Sequence, residues 1–136
     1  MPSVADELKR VPLFEDLSNR QLKRLAGDFC ERTIEAGTSV VQEGAMSGVG
    51  FFVVVEGEAV ASVGGKEVAR LGPGDSFGEL AAINERERAA TVTARTRLRC
   101  LEISFWDFRD FTRENGDFAW KLLQHVVDVL RPPDPD

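Results

Sequence analysis

Residues 77–92 contain the side chains whose types and spacing are best suited to binding chemistry. The pattern of this segment predicts a short helical turn, a polar loop and then the start of a strand. Gly78 lies where a strand would give way to the helix, and a residue without a Cβ lets a ligand come close to the backbone. The first turn of a helix also leaves N–H groups without intrahelical partners, and these groups carry partial positive charge. We therefore expect a small anion to bind beside Gly78.

Glu79 and Arg88 add an acceptor and a set of donors to the same segment. The Glu79 carboxylate can accept hydrogen bonds from hydroxyl groups, and the Arg88 guanidinium has a fixed fork of donors that suits phosphate oxygens. The small side chains of Ala89 and Ala90 would leave their N–H groups open to the same anion. Together these groups indicate a sugar-phosphate site. The alternative is that Glu79 and Arg88 form a salt bridge with each other and bind no ligand.

Catalysis and metal binding have little support in the sequence. The chain has a single histidine, His125, whereas a metal centre inside a β-roll would need several histidine and carboxylate ligands. Glu79 could serve as a general base, but no nucleophile or second acid accompanies it at an informative spacing. We therefore predict that the chain is not an enzyme and uses no metal or cofactor. Only turnover or an unexpected metal would support the enzyme alternative.

The composition is that of one globular domain over residues 1–136. The chain is long enough to bury a core, and its 43% hydrophobic and 29% charged residues are ordinary values for such a domain. The sequence has no run of apolar residues long enough to span a membrane, and its N-terminus lacks the apolar segment of a signal peptide. Cys30 and Cys100 have no metal-ligand spacing, and we expect both to be reduced. These features predict a cytoplasmic protein.

The formal net charge of −6 bears on the choice of partners. Nucleic-acid and acidic-membrane surfaces are bound through clustered lysine and arginine, which this composition does not favour. We therefore predict that the chain binds neither nucleic acid nor membrane. An anionic ligand would also receive no long-range attraction, so its binding must depend on local groups.

The chain divides into four predicted segments: N-terminal helices over 1–30, a β-roll over 31–103, C-terminal helices over 104–131 and a proline-rich tail over 132–136. In the first segment Ser18 begins a capping box, and the apolar spacing after it predicts a helix over 19–29. The second segment has short strands separated by glycine and proline turns, which is typical of a small barrel or jelly roll. The predicted fold class is α+β and mainly β, an antiparallel β-roll with flanking helices and a short helix in the binding segment.

The last predicted helix, over about 117–130, is apolar on more than one face. One stripe contains Ala119, Leu122, Leu123, Val126 and Leu130. A second, rotated stripe contains Trp120, Leu123, Val127 and Leu130. Because one stripe is enough to cover a core, the second could pack on another copy of the chain and form a homodimer.

The binding segment resembles the phosphate-binding cassette of cyclic nucleotide-binding domains. The resemblance consists of Phe-Gly-Glu-Leu-Ala at 77–81, followed at a short interval by Arg-Ala-Ala-Thr-Val at 88–92. This family includes the regulatory subunits of cyclic-AMP-dependent protein kinase, the catabolite activator proteins and the cyclic-nucleotide-gated channels. Segments 11–14, 55–59 and 71–75 are similar to other landmarks of the family, so the resemblance covers roughly residues 11–131.

The resemblance implies a role for each residue of the site. Glu79 would bind the ribose 2′-hydroxyl, Arg88 would bind the exocyclic oxygen of the cyclic phosphate, and backbone amides would complete the anion site. The implied ligand-binding residues are Phe77, Gly78, Glu79, Leu80, Arg88, Ala89 and Ala90. In relatives the C-terminal helix closes as a lid on the base, and the implied lid residues here are Trp120, Val127 and Leu130.

The resemblance also bears on the choice of base. Family members that prefer cGMP commonly have threonine or serine directly after the phosphate arginine, where this chain has Ala89. The implied ligand is therefore cAMP, with cGMP as the other possibility. One departure is Glu87, which stands where kinase-like members usually have proline, and its charge could weaken the binding of a phosphate.

The implied function is that of a cyclic nucleotide-binding regulatory or sensor domain. Ligand binding would be relayed through the C-terminal helix to an effector domain or protein. The alternative is a degenerate domain that keeps only the fold and acts in dimerisation or partner docking without binding a nucleotide. Binding of cAMP separates these two hypotheses.

Overall fold

The computed structural model of the chain describes residues 3–42, 50–79 and 90–130. The helices are α1 Val4–Lys9, a 3₁₀ helix Pro12–Phe14, α2 Asn19–Ala26, α3 Phe105–Glu114 and α4 Gly116–Leu130. The strands are β1 Phe29–Ile34, β2 Ser39–Val41, β3 Gly50–Glu56, β4 Ala59–Val63, β5 Lys66–Leu71, β6 Ser76–Phe77, β7 Thr91–Ala94 and β8 Leu98–Ser104.

These strands form two four-stranded antiparallel sheets. The first sheet has the strand order β1-β8-β3-β6, and the second has the order β2-β7-β4-β5. The pairing of β3 with β8 extends from Gly50 opposite Ser104 to Glu56 opposite Arg99. Two antiparallel sheets with helices before and after them make up the jelly roll that the sequence predicts, and the predicted fold class is confirmed.

Strand β3 of the first sheet is buried on both faces. Phe51 and Val53 of β3 pack against the helices, whereas Phe52 and Val54 pack in the core between the two sheets. Successive side chains of a strand point to opposite faces, so a strand that is covered on both sides must be apolar at every position. This arrangement explains the continuous apolar run that marks β3 in the sequence.

Stacked phenylalanines hold the C-terminal helices against the first sheet. Phe105, Phe108 and Phe111 of α3 are all buried in the core. The Phe108 ring stacks on Phe51 with 4.7 Å between centroids, and Phe118 of α4 stacks on Phe14 at 5.7 Å. The packing of Phe118 among these rings therefore holds α4 in place on the domain.

The capping box at the start of α2 is confirmed, but the predicted end of this helix is wrong. The Ser18 Oγ accepts from the Gln21 N–H at 3.1 Å, and the Gln21 Oε1 accepts from the Ser18 N–H at 2.8 Å. The helix ends at Ala26, not at residue 29, and Phe29 is the first residue of β1. Phe29 is still buried against Phe14, which explains why its apolar side chain matched the helical spacing.

The apolar stripe predicted to cover the core from α4 is wrong in part. Leu122 is buried and Val126 packs against the core, but Leu123 and Leu130 are exposed. The buried face begins instead at Phe118 and continues at intervals of four residues through Leu122 to Val126. Docking of the Phe118 ring determines which face of the helix is covered.

Cys30 is exposed, Cys100 is buried, and both are free thiols, as predicted. Burial raises the pKa of the Cys100 thiol to about 11. A search of the described helices finds none that is both long and apolar enough to cross a membrane.

Candidate functional site

Strand β6 brings the chain to the predicted site. Ser76 and Phe77 pair with Val53 and Phe52 of β3, and the Phe77 ring stacks on Phe52 with 4.9 Å between centroids. The Phe77 side chain is buried in the core between the sheets. It thereby supports the backbone from which Gly78 and the rest of the segment begin.

Gly78 follows this strand with a φ of 95°. This left-handed conformation is readily available to glycine and rarely adopted by residues with a Cβ. Gly78 therefore has a conformational role at the point where the chain leaves the sheet. Its predicted role of admitting a ligand to the backbone remains a prediction.

The carboxylate of Glu79 is buried and lies beside His125. Its side chain is only 7% exposed, and its Oε1 lies 3.4 Å from the Nε2 of His125. Its Oε2 has no hydrogen-bond partner within the part of the chain that the structure describes. A buried polar atom left without a partner costs about 1–3 kcal/mol, so this oxygen is suited to accept from a donor outside those residues.

His125 is the residue that the structure brings to Glu79 and that sequence reasoning missed. It lies on α4, its side chain is 29% exposed, and its Nε2 is buried without a hydrogen-bond partner among the described residues. The sequence gives one indication of it. His125 is the only histidine of the chain and directly precedes Val126, whose side chain packs against the core. The pairing with Glu79 has no sequence signal, because the two residues meet only through the docking of α4.

The remaining predicted ligand-binding residues are less fully described. Leu80, Arg88 and Ala89 lie outside the described residues, and so does the alternative salt bridge between Glu79 and Arg88. Ala90 is half-buried directly before β7, which belongs to the second sheet. The predicted segment thus connects the end of the first sheet to the start of a strand in the second.

The three predicted lid residues lie on the exposed side of α4. Trp120, Val127 and Leu130 have exposed fractions of 64%, 61% and 64%. At about 100° per residue, each is turned roughly 140–160° around the helix from His125. In this arrangement they point away from Glu79, so a contact with a base at that carboxylate would need a movement of α4.

Another concave surface lies between α3 and α4. This groove of about 400 Å³ is lined mainly by apolar side chains, among them Phe108, Leu122 and Val126. It does not include Glu79. In residues 3–42, 50–79 and 90–130 no group of three or more histidine, cysteine, aspartate or glutamate side chains could hold a metal ion.

Comparison with known proteins determines the family. A family model described as the cyclic nucleotide-binding domain matches residues 31–115. The chain belongs to the cyclic nucleotide-binding domain family. The predicted family is thereby confirmed. Gly78 and Glu79 lie at the start of the segment that resembles the phosphate-binding cassette of these domains.

Individual relatives agree with this assignment. A cAMP-dependent protein kinase regulatory subunit from Yarrowia lipolytica is 36% identical over 94% of this chain and 32% of its own length. The regulatory domain of Toxoplasma gondii PKA, in a co-crystal structure with cAMP, has a TM-score of 0.81 and 27% identity over 92% of this chain and 49% of that one. The catabolite activator protein of Thermus thermophilus has a TM-score of 0.78 and 27% identity over 88% of this chain and 58% of that one.

The cyclic nucleotide-binding domain is only part of these kinase subunits. The chain spans about a third or less of the length of the curated kinase regulatory subunits that it matches. The match therefore gives no information about the functions of the remaining parts of those proteins.

Proposed function

We propose that this chain is a regulatory domain that binds a cyclic nucleotide, cAMP in preference to cGMP. The observation that carries the proposal is the buried Oε2 of Glu79, which has no hydrogen-bond partner among the described residues and follows the left-handed turn at Gly78. A ribose hydroxyl is a donor of the kind that this oxygen lacks. The names of the relatives support the same ligand, since one is a cAMP-dependent kinase subunit and another is a PKA domain with cAMP.

Each part of the segment has a role in this proposal. Glu79 accepts a hydrogen bond from the ribose 2′-hydroxyl, and Arg88 pairs with the cyclic phosphate. The amides of Gly78, Ala89 and Ala90 add donors to the same anion. The net charge of −6 would repel an anion at long range, so these local donors supply the attraction.

The choice of cAMP rests on Ala89, which has no hydroxyl to offer a guanine. We expect the affinity for cAMP to exceed that for cGMP. The Ala89→Thr variant should bind cGMP more tightly than the wild type and leave the affinity for cAMP largely unchanged. Calorimetric titration of both proteins with both nucleotides measures this difference.

We further propose that ligand binding is relayed through α4. This helix contacts Glu79 through His125, so a ligand at the carboxylate changes what the helix packs against. The relay would end at an effector domain or protein, because the relatives are regulatory subunits of kinases. In the same proposal the domain is not an enzyme and acts in the cytoplasm without binding nucleic acid or membrane.

A thermal melt with and without nucleotide tests the proposal. A ligand at a hundred times its dissociation constant adds about 2.7 kcal/mol to the free energy of unfolding, which raises the midpoint by several degrees. The shift with cAMP should disappear in Arg88→Ala and persist in the neighbouring control Arg86→Ala. The absence of any shift with millimolar cAMP or cGMP would refute the proposal.

The exposed side of α4 favours a second candidate function. Its apolar stripe is unusually large for a surface helix and consists of Trp120, Leu123, Val127 and Leu130. In this alternative the domain keeps only the fold and uses the stripe for homodimerisation or partner docking. Light scattering of the wild type and of Leu123→Glu tests the dimer, which the added charge should dissociate.

A further inference from the structure

The contact between His125 and Glu79 joins the C-terminal helix to the proposed ribose site. The Nε2 of His125 lies 3.4 Å from Oε1, within ion-pair distance but without the geometry of a hydrogen bond. Both side chains are shielded from water, Glu79 almost completely and His125 for most of its surface. Electrostatic interactions are stronger in such surroundings than in water, so the charge of the imidazole matters to this carboxylate.

The two carboxylate oxygens of Glu79 have different surroundings. Oε1 faces the imidazole, whereas Oε2 has no partner among the described residues. A carboxylate has acceptor sites on both oxygens, so a partner on Oε1 does not prevent a donor from reaching Oε2. Contact with His125 also restricts rotation of the Glu79 side chain and keeps Oε2 in one place.

We propose that His125 is a positioning residue of the nucleotide site, which holds Glu79 through Oε1 and keeps Oε2 directed at the ligand. The inference rests on the proposed function, because it assigns Oε2 to the ribose hydroxyl. Without the imidazole the carboxylate has room to turn, so removal of the imidazole should lower the affinity for cAMP.

Other charged groups lie on α4 and on the elements that pack against it. On α4 itself, Lys121 is bound to Asp16 and Glu15, which follow the 3₁₀ helix. The other charged residues of α4 are Asp117 and Asp128, and Arg109 and Arg113 of α3 line the groove between the two helices. Of the described side chains, only Glu79 has an acidic oxygen within 4.0 Å of the His125 imidazole.

Four further charged residues follow Glu79 in the sequence. They are Glu85, Arg86, Glu87 and Arg88, and all four lie outside the described residues. A test must therefore change His125 itself. Because the chain has a single histidine, no other imidazole can contribute to the result.

The first experiment measures cAMP affinity by calorimetry at one pH in the wild type and in variants of α4. His125→Leu removes the contact with Oε1 and should weaken binding about three- to fivefold, a size that one charged contact can support. His125→Gln keeps an N–H donor that can reach Oε1, so it should restore most of the affinity. The control Gln124→Ala, on the exposed side of the same helix, should keep the wild-type affinity.

The second experiment needs no ligand. The imidazole signals of His125 can be followed by NMR in the free protein, since the chain has no other histidine. Glu79→Gln changes the group that lies beside Nε2 and should shift these signals, whereas Glu35→Gln on an exposed turn should leave them unchanged. Imidazole signals that are the same in the wild type and in Glu79→Gln refute the contact and the inference with it.

The binding outcomes separate the two proposals. Equal cAMP affinity in the wild type and in His125→Leu overturns the role of His125 and leaves cyclic nucleotide binding intact. Failure of the wild type to bind a cyclic nucleotide overturns the proposed function and this inference together. A loss of affinity in His125→Leu that is largely restored in His125→Gln supports both.

Discussion

Replacement of Glu79 by methionine should stabilise the free protein and abolish nucleotide binding. Methionine has a similar length, needs no hydrogen bond and can remain in the same buried position. In the wild type, Oε2 has no hydrogen-bond partner among the described residues, which costs about 1–3 kcal/mol, and the contact with His125 offsets about 0.2–1 kcal/mol of this. The free variant should therefore be more stable by about 1 kcal/mol, which raises the melting midpoint by about 3–4 °C for a chain of this length.

The effect on binding has the opposite sign. A hydrogen bond to a charged acceptor contributes about 1.5–3 kcal/mol, so Glu79→Met should lose at least tenfold in cAMP affinity. Urea unfolding with and without cAMP measures both effects on the same protein. The matched control is Glu35→Met, which makes the same change of charge at an exposed turn and should alter neither quantity.

The free protein also decides between a ligand site and a structural salt bridge. If Glu79 were paired with Arg88 inside the fold, its removal would leave an uncompensated charge and destabilise the protein by about 3–5 kcal/mol. A Glu79→Met variant that unfolds more easily than the wild type would therefore refute the reasoning. Retention of cAMP affinity in this variant would refute the assignment of Oε2 to the ligand.

Three further predictions concern the scaffold. Phe118→Ala should destabilise the protein by about 3–5 kcal/mol in urea, whereas the exposed Trp120→Ala should change stability by less than about 0.5 kcal/mol. Gly57→Ala should cost about 1–3 kcal/mol, because φ is 92° and a Cβ would collide with a backbone carbonyl. At Gly116, in α4, an added Cβ meets nothing within 4 Å, so Gly116→Ala should stabilise the protein by up to about 1 kcal/mol. Burial raises the Cys100 pKa to about 11, so the stability of the wild type relative to Cys100→Ala should be constant below about pH 9 and fall above it, as the unfolded thiol ionises first.

Local signals in the sequence were enough to predict most of the fold. A capping box such as that of Ser18 depends on side chains and amides within four residues, and the glycine turns depend on backbone conformation at one or two positions. The continuous apolar run of β3 is likewise a local signal for a strand. The same local character made the segment over 77–92 recognisable, because its glycine, acidic and basic residues lie close together in the chain.

The sequence could not predict contacts that depend on where a distant element docks. The end of α2 was misplaced because Phe29 is apolar in either a helix or a strand, and only its pairing opposite Ile103 of β8 decides for the strand. The sequence does not predict the buried face of α4 correctly, because this helix has apolar side chains on more than one side. The stacking of Phe118 on Phe14 determines which side is buried.

The candidate site shows the same division. The sequence shows that Glu79 follows a glycine at the end of a predicted strand and precedes an arginine. The folded chain adds that this carboxylate is buried, that its Oε2 lacks a partner among the described residues and that His125 approaches its Oε1. The physical reason is that burial and ion pairing depend on the packing of α4 against the sheet, to which residues far apart in the chain contribute.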